Sequence, residues 1–192
     1  MDPVNVTVIH GTMSRPEANW FPWLATELGK VGVAVKIPKF PTPDGQSLSR
    51  WLDTFDHEVG PLNSNSILVG HSVGAAFSLR VIERLVKPIR ATFLVSGFTR
   101  ALCIPDFDPL IKTFIECPFD WNKVRGNSNI FKAYAGSNDP YVAMDLGLEM
   151  ASNLGIKLTV VPLGGHLNAE AGYTSFDDLL RDVVEIVNTP SV

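Results

Sequence analysis

The chain has 192 residues, 45% hydrophobic and 19% charged, with a formal net charge of −4. That is length enough for one domain with its own core, without metal or disulfide staples. No Lys/Arg run occurs, so a nucleic-acid binder, which would carry a basic stripe, is not expected. The opening Met1-Asp2-Pro3-Val4-Asn5 shows neither a basic n-region nor an apolar h-region. No apolar run approaches a membrane span, so neither a leader nor a membrane contact is expected. Cys103 and Cys117 lack metal-ligand spacing, and two reduced thiols in a cytoplasmic protein are the plain expectation.

Taken in chain order, six short β-branched runs punctuate the sequence, at residues 4–9, 33–37, 66–69, 91–95, 130–135 and 157–161. Their continuous apolar character predicts strands buried on both faces, as in a parallel sheet. Between them lie segments of helical period. In 48–59, Leu48, Trp51, Leu52, Phe55 and Val59 share one face, with His57 on the polar side. Residues 75–86 form a helical run that Pro88 is expected to stop. In 176–187, Phe176, Leu179, Leu180, Val183, Val184 and Val187 share a face, and Ser175 with Asp178 reads as a capping pair. Alternation of strand and helix predicts one α/β domain: a doubly wound, six-stranded, mainly parallel sheet with helices on both faces. One stretch, 97–129, breaks the rhythm. It holds Pro105, Pro109 and Pro118 with Phe98, Phe107, Phe114, Phe119 and Trp121, and is either a border of a site or a wandering connection that patches the core.

Gly70-His71-Ser72-Val73-Gly74 matches G-x-S-x-G, a pattern that chance alone produces in roughly one chain in fifteen of this length. Its setting adds the weight: an apolar strand enters the motif and a helical run leaves it. The glycines let strand and helix approach closely, and the serine between them is forced into a strained turn at the sheet's carboxyl edge. Ser72 is therefore the candidate nucleophile. His71 points away from its neighbour in so tight a turn and is read as a packing residue.

A serine hydroxyl needs a base to take its proton, and in this strand–turn–helix setting the chain order is Ser, then an acid, then His. Only His166 follows Ser72, in Gly164-Gly165-His166 directly after the last strand. For the acid, Asp139 follows the penultimate strand in Gly136-Ser137-Asn138-Asp139-Pro140. It is placed either to orient the His166 ring, or to cap a helix that begins at Pro140, or both. Asp106, Asp108 and Asp120 in the 97–129 stretch are fallback acids. For the oxyanion hole, the backbone N–H groups of Val73 and Thr12 are the expected donors, the second because strand 4–9 runs into His10-Gly11-Thr12. His10, Phe98, Phe119 and Trp121 are candidates for the substrate pocket.

Several local words carry a wider likeness: His10-Gly11-Thr12, Trp20-Phe21-Pro22-Trp23-Leu24, the elbow itself, Pro118-Phe119-Asp120-Trp121, Asp139-Pro140-Tyr141-Val142 and Gly165-His166. With these the chain resembles, over nearly its whole length, the compact α/β-hydrolase family of YdeN-like and retinoblastoma-binding protein 9-like serine hydrolases. The resemblance implies a minimal α/β-hydrolase fold with six parallel strands and a triad at Ser72, Asp139 and His166. A retinoblastoma association does not carry over, because no Leu-x-Cys-x-Glu pattern surrounds Cys103 or Cys117. The expectation is an esterase-like acyl hydrolase acting on a small ester, thioester or amide, with no metal or organic cofactor. An acyltransferase or peptidase with the same triad, and a binding module that kept the fold without the chemistry, are the rival readings.

Overall fold

The computed structural model describes residues 3–189; Met1 and Asp2, which the search for a leader also took in, lie outside the described residues. Strands β1 (Asn5–Ile9), β2 (Ala34–Lys36), β3 (Ser66–His71), β4 (Ala91–Val95), β5 (Phe131–Gly136) and β6 (Leu158–Val161) form one sheet in the order β2-β1-β3-β4-β5-β6. Every neighbouring pair is parallel. The central strands β3 and β4 are buried along their whole length, as their apolar runs predict. The edges differ: alternate residues of β2 are exposed, as are Thr159 and Val160 of β6, because an edge strand lacks a neighbour on one side.

The two faces of the sheet bury separate cores. Successive side chains of a strand point to opposite faces, so Ile67, Val69, Phe93 and Val95 meet helices α1 (Phe21–Lys30) and α7 (Asp177–Asn188). Leu68 and Leu94 face the other way, towards α2 (Leu48–Glu58), α3 (Val73–Glu83), α4 (Asp108–Ile115), α5 (Trp121–Gly126) and α6 (Met144–Leu154). Trp51 and Phe55 of α2 are buried, and His57 is exposed, as the periodicity requires.

Two expected helix ends are corrected. Helix α3 stops at Glu83, well before Pro88; Asn127 Nδ2 donates to the carbonyls of Ile82 and Leu85 at 3.0 and 2.9 Å and so caps it from a distant part of the chain. Helix α7 has Phe176 at its N-cap and no side-chain cap, so the Ser175–Asp178 pair does not form. Phe176 is drawn into the core beside Trp20 and Tyr134, and burial of the ring sets where the helix begins.

The 97–129 stretch folds into α4, α5 and their connections, and Arg80 of α3 sews it down. That guanidinium is 7% exposed and donates to the carbonyls of Phe114, Cys117 and Pro118 while pairing with Glu83 at 2.8 Å. It also lies 3.5 Å over the Phe119 ring. Cys103 and Cys117 are unbridged and exposed. Among the described residues, no helix is long and apolar enough to cross a membrane.

Candidate active site

The chain leaves β3 through a turn at Ser72, whose backbone sits at φ 58° and ψ −126°. A residue with a side chain is strained at positive φ. The strain is held by close packing. A Cβ on Gly74 would lie 2.4 Å from the carbonyl oxygen of Ile9, and one on Gly70 would lie 2.4 Å from that of Gly74. Strand, turn and helix therefore touch backbone to backbone. The loop after β1 is equally close, since a Cβ on Gly11 would meet Ser72 Cβ at 2.9 Å.

Ser72 opens into a cleft of about 370 Å³. One side is the loop after β1, with Thr12, Met13, Ser14, Arg15 and Asn19; another is Phe98, Leu102, Phe107 and Ile111 from the 97–129 stretch. Tyr141, His166, Asn168 and Glu170 form the remaining wall, and His71 borders the floor beside Ser72. The rim is tied together by hydrogen bonds. Gln46 Nε2 donates both to Thr12 Oγ1 and to the Leu110 carbonyl, each at 2.9 Å, and Tyr141 Oη donates to Glu170 at 3.2 Å.

His166 reaches this cleft on the loop after β6. Its Nδ1 lies 2.8 Å from Asp139 Oδ2, and the Asp139 side chain is 1% exposed. The other carboxylate oxygen, Oδ1, accepts the N–H groups of Tyr141 and Val142 at 2.9 and 3.0 Å. Helix α6 begins only at Met144, so Asp139 anchors a local turn and is not a helix cap. A carboxylate only accepts here, so His166 Nδ1 carries the proton and the tautomer is set. Ser72 Oγ and the His166 ring share the cleft without a direct hydrogen bond between them, as is common before substrate draws a site together.

The N–H groups of Val73 and Thr12 have no acceptor among the described residues, whereas those of Ser72 and Met13 are taken by the Val95 carbonyl and Thr42 Oγ1. Two unclaimed donors thus flank the nucleophile's turn. Residues at positive φ gather in the same region: Met13, Asn19 and Ser72 line the cleft, and Ser96, Leu163 and Leu167 border the His166 loop. Backbone strain of this kind persists only where surrounding structure holds it.

Of the expected pocket residues, only Phe98 lines the cleft. His10 does not. Its ring is fully buried, edge-on to Phe40 and Trp51, with Nδ1 donating to the Gly11 carbonyl at 2.9 Å and Nε2 accepting from Phe40 N–H at 3.1 Å. Burial lowers its pKa, so it serves as a neutral strut beneath the loop. Phe119 is likewise corrected: it is held under Arg80 in the core, and Trp121 packs beside it. Among the fallback acids, Asp120 caps α5 through Lys123 N–H, Asp108 accepts from Leu102 N–H, and Asp106 is exposed; none meets His166. Sequence reasoning missed Gln46 and Asn168, polar residues without motif, and gave Tyr141 no place in the site although it stands in the word after Asp139; the place of each depends on which loops meet.

A parallel sheet in this order, with a strand–turn–helix serine facing an Asp-bound histidine, is the α/β-hydrolase architecture, and the protein is a hydrolase of that class. Residues 6–184 match the Serine hydrolase family, and the chain belongs to it. It is 32% identical over 172 residues to the YdeN protein of Bacillus subtilis (strain 168), which bears the name of a hydrolase, covering 88% of this chain and 89% of that one. To the serine hydrolase RBBP9 of Rattus norvegicus it is 26% identical over 193 residues, covering 99% and 98%. The crystal structure of the ydeN gene product from B. subtilis superposes with a TM-score of 0.90 at 29% identity, over 97% of this chain and all of that one.

Proposed function

We propose that the protein is an esterase-like acyl hydrolase working through Ser72, His166 and Asp139. The observation that carries this is the His166–Asp139 contact at 2.8 Å, with the carboxylate shut away from water, in the cleft onto which Ser72 opens. Asp139 holds the proton of His166 on Nδ1, which leaves Nε2 as the base. Ser72 Oγ attacks the carbonyl carbon of a small ester, thioester or amide, and its proton passes to His166 Nε2. The carbonyl oxygen becomes an anion held by the N–H groups of Val73 and Thr12, whose freedom from other acceptors supports the assignment. The tetrahedral intermediate collapses, His166 returns the proton to the leaving group, and Ser72 remains acylated. Water then attacks the acyl carbon, His166 takes its proton, and the acid departs as Ser72 regains its hydrogen.

The test is covalent labelling. A fluorophosphonate should modify Ser72, and Ser72→Ala should lose both the adduct and hydrolysis of p-nitrophenyl butyrate. An adduct on a different serine, or turnover that survives in Ser72→Ala, overturns the assignment. A folded protein that the probe does not touch would mark a binding module.

A further inference from the structure

His71, the last residue of β3 and the neighbour of Ser72, is 3% exposed. Its ring borders the floor of the cleft and packs edge-on against aromatic groups, with Trp20 at 6.2 Å, Phe21 at 5.8 Å and the His166 imidazole at 4.8 Å between centroids. A phenylalanine would suit such surroundings without the desolvation an imidazole undergoes. Burial, with His166 beside it, lowers the pKa of His71 to about 3, so the ring is neutral. Its Nε2 lies 2.9 Å from the His166 carbonyl oxygen. A carbonyl can only accept, so Nε2 carries the hydrogen and Nδ1 is a bare acceptor, which is buried with no partner among the described residues. A buried polar atom left unsatisfied in this way calls for an explanation.

We propose that His71 is a positioning residue that sets the distance between nucleophile and base, a role that rests on reading His166 as the base. In the sheet, β3 and β6 are separated by β4 and β5, so the loops carrying Ser72 and His166 are not neighbours in the hydrogen-bonded ladder. The His166 loop also has little stiffness of its own, since Gly164 and Gly165 precede the histidine and Gly165 sits at φ 55°. Asp139 grips one ring nitrogen, and a ring held at one nitrogen still pivots about its backbone. The backbone is what His71 holds. Ser96 Oγ donates to the same carbonyl at 3.2 Å, and Trp20 Nε1 donates to the next one, of Leu167, at 2.9 Å. Three buried donors, at the end of β3, just past β4 and just before α1, thus fix two successive carbonyls of the base loop. One of them is bonded through the chain to the nucleophile, so a shift of the His166 backbone relative to Ser72 strains or breaks the His71–His166 bond.

The experiment compares His71→Phe, His71→Gln and Ser96→Ala with the parent protein in p-nitrophenyl butyrate hydrolysis and thermal melting. Misplacement on the scale of 1 Å can cost on the order of a hundredfold in rate. For His71→Phe we expect kcat to fall about tenfold or more, with KM within about twofold and the melting temperature unchanged or raised. The ring volume is kept and the unpartnered nitrogen is gone, so stability and rate should move apart. His71→Gln, whose amide N–H can reach the same carbonyl, should recover part of kcat. A kcat within about twofold of the parent, a kcat loss matched by a lowered melting temperature, or a Gln variant no faster than Phe overturns the proposal. If His71→Phe does not fold, Ser96→Ala decides: a several-fold loss in kcat at constant KM supports the clamp, and an unchanged kcat overturns it. Inert Ser72→Ala and His166→Ala beside an unimpaired His71→Phe would sink this inference alone. Active Ser72→Ala would sink the reading on which it rests.

Discussion

Asp139 has no carboxylate oxygen to spare: Oδ1 fastens the turn at Tyr141 and Val142, and Oδ2 meets His166. In Asp139→Asn the amide oxygen can keep the turn bonds, and the amide nitrogen then faces His166 Nδ1. Two donors cannot share a hydrogen bond, so the ring is driven to the tautomer that bears its hydrogen on Nε2, where a base is needed. A comparable change in a serine protease costs about 10⁴-fold in kcat. We expect a loss of that order in Asp139→Asn, with the circular dichroism and melting curve little altered. Retention of most of the activity there, with loss on substitution of Asp106, Asp108 or Asp120, would move the acid into the 97–129 stretch.

At the scale of elements, α4 and the connection to α5 are held to α3 chiefly through Arg80. Arg80 satisfies carbonyls at the end of α4 and in the connection to α5, and neutralises Glu83, itself largely buried. Arg80→Met fills similar volume but strands those carbonyls and leaves the Glu83 carboxylate without its counter-charge, held among the described residues only by the Asp120 N–H. Breaking a buried ion pair by removing one partner costs about 3–5 kcal/mol. Urea denaturation should show a loss of that size. Because Phe107 borders the helix that carries Ile111, and both line the cleft, KM for p-nitrophenyl butyrate should rise as well. Unchanged stability in Arg80→Met would show that the Arg80 bonds do not hold this region in place.

For the molecule as a whole, the cleft of about 370 Å³ lies near the small end of the range of about 300–1,000 Å³ typical of ligand pockets. Phe98, Leu102, Phe107 and Ile111 give it an apolar side, and the Arg80 anchorage and the Gln46 bridge close it against the loop after β1. Among the described residues no long helical lid stands over it; the chain between β4 and β5 is used up by two short helices that complete the core. We therefore expect a preference for acyl groups of roughly two to six carbons, discriminated by about 1–3 kcal/mol per methylene-scale change. A series of p-nitrophenyl esters from acetate to palmitate checks this. Higher kcat/KM on the twelve- to sixteen-carbon esters than on butyrate would show a deeper channel.

The sequence by itself determined six strands of a parallel sheet, their alternation with helices along the chain and the place of Ser72 in its turn, because these are local signals; the order of strands across the sheet came only with the structure. β-branched runs make buried strands, and a glycine-flanked serine between strand and helix makes one kind of turn. His166 was legible by elimination, being the one histidine after Ser72, and Asp139 by its position past β5. Edge exposure of β2 and β6, the end of α3 under Asn127 and the drawing of Phe176 into the core were not legible, since each depends on what lies across the fold. The same holds for the cleft wall. Aromatic character alone marked Phe119 and Trp121 as alike to Phe98, yet the Arg80 guanidinium claims Phe119 for the core, and the strut role of His10 follows from Phe40, some thirty residues away in sequence. Only the tertiary structure decided which polar groups meet. Hydrogen bonds such as those from His71 and Ser96 to the His166 carbonyl join residues with |i−j| of 95 and 70, and no periodicity or motif records a contact at that separation.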